Sequence, residues 1–216
     1  MSLPETSIRI ARLSDLLGIM QLHEKAFAGS MGVRLGKLYQ GAFLSWFIKH
    51  PRAQCLVAVD AEDRIIGYVF GSDYEALSMM NRVVAPAAAL GMLSNWQIAL
   101  EKPFQNELKR RLRSLPNPQK ILSRVMSNKA QANETVTDSG IFSLVGIGVD
   151  SSHRRQGIGS SLIKRFEEEA TNRNKAAVRL SVYKTNNTAR SAYVRAGFVE
   201  QIHPDSDATL FYIKTL

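Results

Sequence analysis

Residues 149–159 read Val-Asp-Ser-Ser-His-Arg-Arg-Gln-Gly-Ile-Gly, and this stretch decides the fold. It joins an apolar, β-branched run (141–149) to an amphipathic helical pattern (160–172), which predicts a strand that turns directly into a helix. The first N–H groups of a helix have no intrahelical partner, and the positive end of the helix dipole favours an anion. Gly157 and Gly159 lack Cβ atoms, so a ligand can approach the main chain closely there. The stretch therefore predicts a phosphate or pyrophosphate site.

Two widespread phosphate-binding motifs do not describe this loop. A P-loop carries a lysine directly after its last glycine, and no lysine follows either glycine here. A dinucleotide-binding fingerprint has three glycines, Gly-x-Gly-x-x-Gly, and only two are present. The stretch instead resembles the acetyl-CoA signature of the GNAT N-acetyltransferases. That signature is [Arg/Gln]-x-x-Gly-x-[Gly/Ala]. It is matched by Arg154, Gly157 and Gly159.

A second segment strengthens this resemblance. Residues 186–198 read Asn-Asn-Thr-Ala-Arg-Ser-Ala-Tyr-Val-Arg-Ala-Gly-Phe and are similar to the GNAT segment Asn-x-x-Ala-x-x-x-Tyr-x-x-x-Gly-Phe. The segment follows one helical pattern and one strand pattern (177–183) after the glycine loop, which is the order that the family has. Two motifs in the right order are far less frequent by chance than either one alone. The sequence is therefore identified as a member of the GNAT superfamily.

The resemblance implies an α/β (α+β) fold in which helices flank a mixed, mostly antiparallel central sheet. The patterns along the chain agree with one GNAT-like domain over residues 1–216. Strands are predicted at 8–13, 54–59, 64–71, 141–149, 177–183, 199–203 and 209–214. Helices are predicted at 15–27, 33–49, 157–172 and 187–196.

Residues 74–138 form an insertion between the third strand and the strand that precedes the glycine loop. The patterns there are helical and are separated by prolines, with helices expected at 75–84, 87–100, 104–115 and 119–127. A polar connector is expected at 131–139. The insertion is too apolar for a plain linker, which favours a helical lid or a substrate platform, with a dimerisation element (a possible homodimer) as the alternative.

Composition favours a soluble, cytoplasmic protein. The chain has 216 residues, of which 45% are hydrophobic and 22% charged, enough for one domain with a buried core. The most apolar window, 83–93, is too short to span a bilayer and contains Pro86, and no signal-peptide pattern opens the chain. No association with a membrane is therefore expected. Cys55 is the single cysteine and is interpreted as a core residue, and the four histidines show no metal-ligand spacing, so no metal is expected.

The net charge is +9, which suits an anionic ligand such as coenzyme A. Eight lysines or arginines but only three acids lie between Glu101 and Glu134. A solvated helix face is the favoured interpretation of this region. Nucleic acid is an unlikely partner, because the region has no recognised reader motif and Phe104 is its only aromatic residue.

The resemblance also implies where acetyl-CoA, the cosubstrate, binds. Main-chain groups of the strand pair with the pantetheine arm, and the N–H groups of the loop hold the pyrophosphate. The glycines within the strand, Gly146 and Gly148, mark a bulge or a close approach, with tight packing as the alternative. Asn186 contacts the cofactor arm, and it is also a plausible helix N-cap. The predicted cofactor-binding residues are Ile147, Gly148, Val149, Arg154, Gln156, Gly157, Ile158, Gly159, Ser160 and Asn186.

Tyr193 is the predicted catalytic residue, because the family uses the matching tyrosine to protonate the departing thiolate. The alternative is a tyrosine that is simply packed. The general base is left open, since the strand 141–149 contains no acid. The candidates are Asp73, Tyr74, Glu75 and Asp138, or a chain of water molecules to solvent.

The predicted function is acetyl-CoA-dependent N-acetylation of a primary amine of a small molecule, by direct transfer in a ternary complex. The segment 27–43 is similar to GNAT proteins associated with surface-polysaccharide synthesis, which implies an amino-sugar acceptor. A protein or peptide acceptor is the first alternative. A non-catalytic acyl-CoA-binding sensor is the alternative from another class.

Overall fold

The computed structural model describes residues 6–95, 97, 100, 105, 140–201 and 208–216. The helices predicted at 104–115 and 119–127, the connector at 131–139, Asp138 and nearly all of the basic region lie outside these residues. Six helices are described: α1 (Leu16–Ala26), α2 (Met31–Arg34), α3 (Lys37–Lys49), α4 (Ala76–Ser94), α5 (Ile158–Asn172) and α6 (Asn187–Arg195). Seven strands are described: β1 (Ser7–Ile10), β2 (Ala53–Val59), β3 (Ile65–Asp73), β4 (Ile141–Val149), β5 (Ala177–Tyr183), β6 (Val199–Gln201) and β7 (Thr209–Thr215).

The described strands form one sheet in the order β1-β2-β3-β4-β5-β7-β6. Every neighbouring pair is antiparallel except β4 and β5, which are parallel and are connected through α5. A parallel pair needs such a crossover, because its strands cannot be joined by a tight turn. The predicted α/β fold, with a mixed and mostly antiparallel sheet between helices, is confirmed.

Apolar side chains on both faces of the sheet are buried by helices. On one face Val57, Tyr68 and Phe70 pack with α1, α3 and the first half of α4. On the other face Leu56 and Phe142 pack with α5 and with apolar residues of α6. All seven residues of β2 are buried, which is why this strand is apolar except for Gln54 and does not alternate. The sheet is therefore the middle layer of three.

Three predicted boundaries are wrong. The helix predicted at 33–49 is two helices, since Gly36 adopts a φ of +89° and cannot continue α2. The first strand ends at Ile10, and a 3₁₀ turn over Leu13–Asp15 leads into α1. Pro86 does not divide the helices predicted at 75–84 and 87–100, because α4 continues through it to Ser94. Proline within a helix removes one hydrogen bond, and this site is exposed.

The continuous α4 is long and apolar enough to cross a membrane by length and composition alone, and 28% of the relevant window is buried. The apolar window 83–93, which contains Pro86, was expected to be too short to span a bilayer. That expectation was wrong as to length, because the window is part of the longer helix α4. A core helix satisfies the same criterion, and α4 does contact the protein at both ends. Met80 and Val84 are buried against the α1–α3 layer, and Asn95 donates from Nδ2 to the carbonyl of Arg34 at 3.2 Å.

Candidate active site

Strand β4 separates from β5 halfway along its length. It pairs with β3 from Phe142 to Val149, but with β5 only over Ile141–Leu144. Strand β5 continues to Tyr183, paired with β7 on its other side. From Val145 onward, β4 has no strand neighbour on the β5 side among the described residues. Main-chain groups in this opening are available to an extended ligand that adds itself as a strand.

A β-bulge lies where this opening begins. Phe70 pairs with Gly146 and Gly71 pairs with Leu144, so that Val145 is the extra residue of β4. The Val145 side chain is 39% exposed, although its neighbours along β4 are largely buried. Bulges re-aim the main chain and are frequent beside active sites. The bulge therefore marks the point at which β4 turns from a sheet strand into a ligand-accessible edge.

The glycines of β4 are explained by packing against aromatic rings of β3. A Cβ atom on Gly146 would lie 2.6 Å from Cζ of Phe70, and one on Gly148 would lie 2.8 Å from Cε1 of Tyr68. Real Cβ contacts are never this short, so a side chain at either position would displace a ring. Of the interpretations that the sequence allowed, the bulge and tight packing are both observed.

The loop glycines are in the opposite situation. Gly157 is the N-cap residue of α5 with a φ of +81°, and nothing lies within 4 Å of a Cβ atom placed on it. A Cβ on Gly159 would make only an ordinary contact, 3.8 Å from Val149. The first helical bond of α5 runs from the Ser161 N–H to the Gly157 carbonyl, which leaves the preceding N–H groups of the helix without intrahelical partners. The result is an open cradle of N–H donors at a helix N-terminus.

The polar residues flanking this cradle are exposed. Arg154 donates from Nε to the carbonyl of Val149 at 3.4 Å, and Gln156 donates to the carbonyl of Ser152 at 3.4 Å. Asn186 caps α6, because its Oδ1 accepts a hydrogen bond of 3.1 Å from the Ala189 N–H. The predicted cofactor residues are thus gathered along the β4 opening and at the N-termini of α5 and α6.

Tyr193 projects from α6 into the core layer beneath α5 and is 7% exposed. Its ring lies 5.9 Å from that of Phe198 and 6.4 Å from that of Tyr212. Burial raises the pKa of its hydroxyl to about 12, so the group stays protonated at any physiological pH. Within the described part of the chain this hydroxyl has no hydrogen-bond partner.

The residues predicted as candidate bases lie at the other end of β4. Asp73 pairs with Phe142 in the sheet, and its carboxylate lies 2.6 Å from Arg52 Nε and 3.0 Å from Lys175 Nζ. Glu75 lies 3.3 Å from the same arginine. The ring of Tyr74 lies 4.2 Å from the guanidinium carbon of Arg179. The carboxylates are therefore already used in ion pairs, and none of these three residues lines the cavity described next.

A cavity of about 170 Å³ opens on the α1–α3 face of the sheet. It reaches β4 at the bulge, through Val145 and Gly146. Its remaining walls come from four separate elements or their connections, and they are His23, Phe27, Ser30, Gly32, Tyr39, Gln40, Phe43 and Phe70. A larger groove of about 530 Å³ lies between the start of α1 and the β2–β3 turn, but its lining does not include the bulge. We therefore take the smaller cavity as the functional one.

His23 is the most perturbed titratable group of this cavity. Its Nδ1 lies 2.8 Å from the hydroxyl oxygen of Tyr68, and its ring stacks on Phe27 at 4.7 Å between centroids. Burial lowers its pKa to about 4, so the imidazole is neutral at physiological pH. Sequence motifs gave no indication of this residue or of Gln40. The one available signal was a polar residue on the apolar face of each predicted helix, which is usually read as a satisfied core position.

The described residues contain no group of three or more His, Cys, Asp or Glu side chains that could hold a metal ion. Cys55 is buried in β2, and burial raises the pKa of its thiol to about 12. The thiolate required of a nucleophile is thus disfavoured, which agrees with a core role.

A sequence model of the acetyltransferase (GNAT) family matches residues 112–198. No curated protein matches the sequence. The fold is similar to that of the ribosomal-protein-S18-alanine N-acetyltransferase from Escherichia coli, with 14% identity, 98% of this chain and 94% of that chain covered, and a TM-score of 0.56. Ard1 from Thermoplasma volcanium is similar with 16% identity, 98% and 97% coverage, and a TM-score of 0.58. An N-acetyltransferase from Staphylococcus aureus Mu50 has 15% identity, 98% coverage of both chains and a TM-score of 0.57.

Proposed function

We propose that this chain is an acetyltransferase of the GNAT family, which uses acetyl-CoA, and that it acetylates a primary amine of a small molecule by direct transfer in a ternary complex. The observation that carries this proposal is the meeting of two spaces at one point of β4. The opening beside β5 and the cavity on the α1–α3 face both reach the bulge at Val145–Gly146. An amine in the cavity can therefore attack a thioester in the opening without a covalent enzyme intermediate.

The cofactor lies along the opening in this proposal. Ile147, Gly148 and Val149 offer main-chain groups to the pantetheine arm, and the N–H groups from Gln156 to Ser160 hold the pyrophosphate. Arg154 and Asn186 add contacts at the two helix N-termini. The free first-turn N–H groups of α5 and the empty space over Gly157 support this assignment. The single sheet that β1 to β7 form fits one catalytic domain.

The chemical step forms a C–N bond and breaks a C–S bond. The amine nitrogen attacks the thioester carbonyl carbon, and the electron pair of the broken bond leaves on sulfur as thiolate. Tyr193 donates its proton to that thiolate, for which a buried, protonated and otherwise unbonded hydroxyl is suited. The nitrogen loses its proton to solvent, because the carboxylates of Asp73 and Glu75 are held in ion pairs.

The size of the cavity favours a small acceptor. A volume of about 170 Å³ is below the range of about 300–1,000 Å³ typical of pockets for drug-sized ligands. An amino sugar presenting its amine to the bulge, or another small amine, fits this limit better than a folded protein does. A single buried cysteine and the use of acetyl-CoA also agree with a cytoplasmic protein.

The first test is thermal unfolding with and without acetyl-CoA, with ATP and NAD as anionic controls. Ligand at about a hundred times its Kd adds about 2.7 kcal/mol, which raises Tm by several degrees for a chain of this size. We expect that increase with acetyl-CoA alone. Gly157→Leu should abolish it, whereas Gly29→Leu should keep it, since Gly29 also has a positive φ and open space but lies outside the loop. Equal shifts with all three anions would contradict the acetyl-CoA site.

The second test is thiol release from acetyl-CoA with a screen of amines that includes D-glucosamine, alkylamines and peptides with free N-termini. Release with small amines supports the proposal. Thiol release with peptides alone would mean that the protein acetylates proteins or peptides and not small molecules. Binding of acetyl-CoA without thiol release for any amine of the screen would mean that the protein is a non-catalytic acyl-CoA sensor.

A further inference from the structure

Gln40 is a polar residue of α3 that lines the cavity and is only 2% exposed. Its amide nitrogen donates to Oε1 of Glu24 at 3.3 Å and to the carbonyl of Val33 at 3.4 Å. Both partners are acceptors only, so the NH₂ group must face them and the orientation of the amide is fixed. The amide oxygen, Oε1, is then buried and has no hydrogen-bond partner in the described structure.

A buried carbonyl oxygen without a donor is unfavourable and rare in folded proteins. The protein holds this one in place through two hydrogen bonds on the other side of the same amide. In a second buried glutamine, Gln54, which lies outside the cavity, the amide oxygen is satisfied by a hydrogen bond of 2.7 Å from Arg173, and the atom without a partner is the nitrogen, Nε2. A ligand in the cavity that carries an N–H group would supply the donor that Gln40 lacks.

The other walls of the cavity define what can accompany that N–H group. Four aromatic rings line it, and the faces of such rings attract an ammonium group. None of the described lining residues is a lysine or an arginine, and His23 is neutral. A carboxylate next to the amine would lose its hydration without gaining a counter-charge, and Glu24 behind Gln40 adds to the repulsion.

We propose that Gln40 is the specificity-determining residue of the acceptor site, with Oε1 accepting a hydrogen bond from the acceptor amine, and that the site selects primary amines whose neighbouring group is uncharged. This inference rests on the proposed acetyl transfer and names its substrate class. Free α-amino acids are excluded, and amines attached to apolar or hydroxylated carbon are admitted.

The test on the wild-type protein compares isopropylamine with L-alanine, which differ by a methyl group in place of the carboxylate. The amine of alanine is the less basic of the two, so its protonation state favours alanine. We expect thiol release from acetyl-CoA with isopropylamine and a kcat/KM for alanine roughly 100-fold lower, from the desolvation of an unpaired charge. Comparable values for both amines would overturn the substrate class.

The test on Gln40 is Gln40→Met, which keeps the length of the side chain and removes the amide. We expect the KM for isopropylamine to rise roughly 10- to 100-fold, as for the loss of a hydrogen bond to a charged group, with the KM for acetyl-CoA unchanged. Gln54→Met removes an amide of similar burial elsewhere and should leave the KM for isopropylamine unchanged. The acetyl-CoA-dependent increase in Tm reports that Gln40→Met is folded.

The outcomes separate this inference from the proposed function. If wild-type protein releases thiol with no amine of the screen, the proposed function fails. If it acetylates amines but Gln40→Met has the wild-type KM, or if isopropylamine alone among the alkylamines is rejected, the assignment of Gln40 is wrong while the proposed function stands.

Discussion

The two sides of strand β4 are built in different ways. On the β5 side, the opening and the glycine loop present main chain, and all of it comes from one contiguous stretch, 145–160. On the α1–α3 side, the cavity presents side chains, and they come from α1, α2, α3 and β3. We propose that the first side recognises its ligand through backbone N–H groups and that the second does so through His23, Gln40 and aromatic rings.

The difference follows from what each side is proposed to bind. A cofactor that never changes can be held by main-chain geometry, for which glycine spacing is sufficient. An acceptor must be distinguished from other amines, which requires side chains with chosen polarity and shape. Cofactor binding and acceptor selectivity can thus occupy the edge and one face of the same strand.

The largest expected effect is on kcat and concerns the β5 side of β4, where the cofactor is proposed to bind. Tyr193→Phe should lower kcat by about 100-fold or more, because the thiolate then leaves without a proton donor, while the KM for acetyl-CoA changes little. Steady-state thiol release measures both. Tyr212→Phe is the matched control, since Tyr212 is a neighbouring buried tyrosine whose hydroxyl donates to Glu200 at 2.9 Å. Equal losses in the two variants would make Tyr193 a packing residue.

The next effect is on the pH dependence of stability and concerns His23, in the cavity on the α1–α3 side of β4. The folded protein lowers the pKa of His23 from 6.5 to about 4, so the unfolded chain binds its proton more readily. Stability due to this group is therefore complete above about pH 6.5 and is lost as the pH falls towards 4. Between pH 7 and pH 4.5 the loss should be about 2 kcal/mol. Urea unfolding at both pH values measures it.

The control for that prediction is the variant His23→Gln, which should unfold more easily at pH 7 but lose less stability on acidification than the wild type. An unchanged pH dependence in His23→Gln would show that other groups titrate in this range.

The smallest effects compare glycines on the strand with those on the loop. Gly148→Ala should cost about 1 to 2 kcal/mol, because its Cβ meets the ring of Tyr68. Gly159→Ala should change stability by less than about 0.5 kcal/mol, since its Cβ has room and alanine is favourable in a helix. Gly159→Ala should also keep the acetyl-CoA-dependent increase in Tm, because the acetyl-CoA signature that Gly159 matches accepts alanine at this position. Thermal unfolding with and without ligand measures both effects, and identical behaviour of the two variants would remove the distinction.

The bounds of most strands and helices from β4 to α6 were predicted correctly from the sequence. The strand 141–149 and the strand 177–183 were placed correctly, and the helix expected at 157–172 begins only one residue later. These elements have strong periodicity and sharp ends, such as the positive φ of Gly157. Prediction was weaker where tertiary packing overrides local signals. Helix α4 continues through the exposed Pro86, because buried residues on both sides of the proline, Val84 and Gly91, hold the helix against the rest of the protein.

The sequence by itself carried the motifs that resemble the GNAT family, the order of strands and helices in the three-layer fold, and the loop that is proposed to hold the cofactor. Those properties depend on residues close together in the chain, whose spacing survives as a readable pattern. Only the tertiary structure decided the acceptor side and the state of the candidate bases. Gln40 lines the cavity that reaches the bulge, and Asp73 meets Arg52 and Lys175, only because the sheet brings distant segments together. Their burial and partners are set by that packing, and no local spacing in the chain records them.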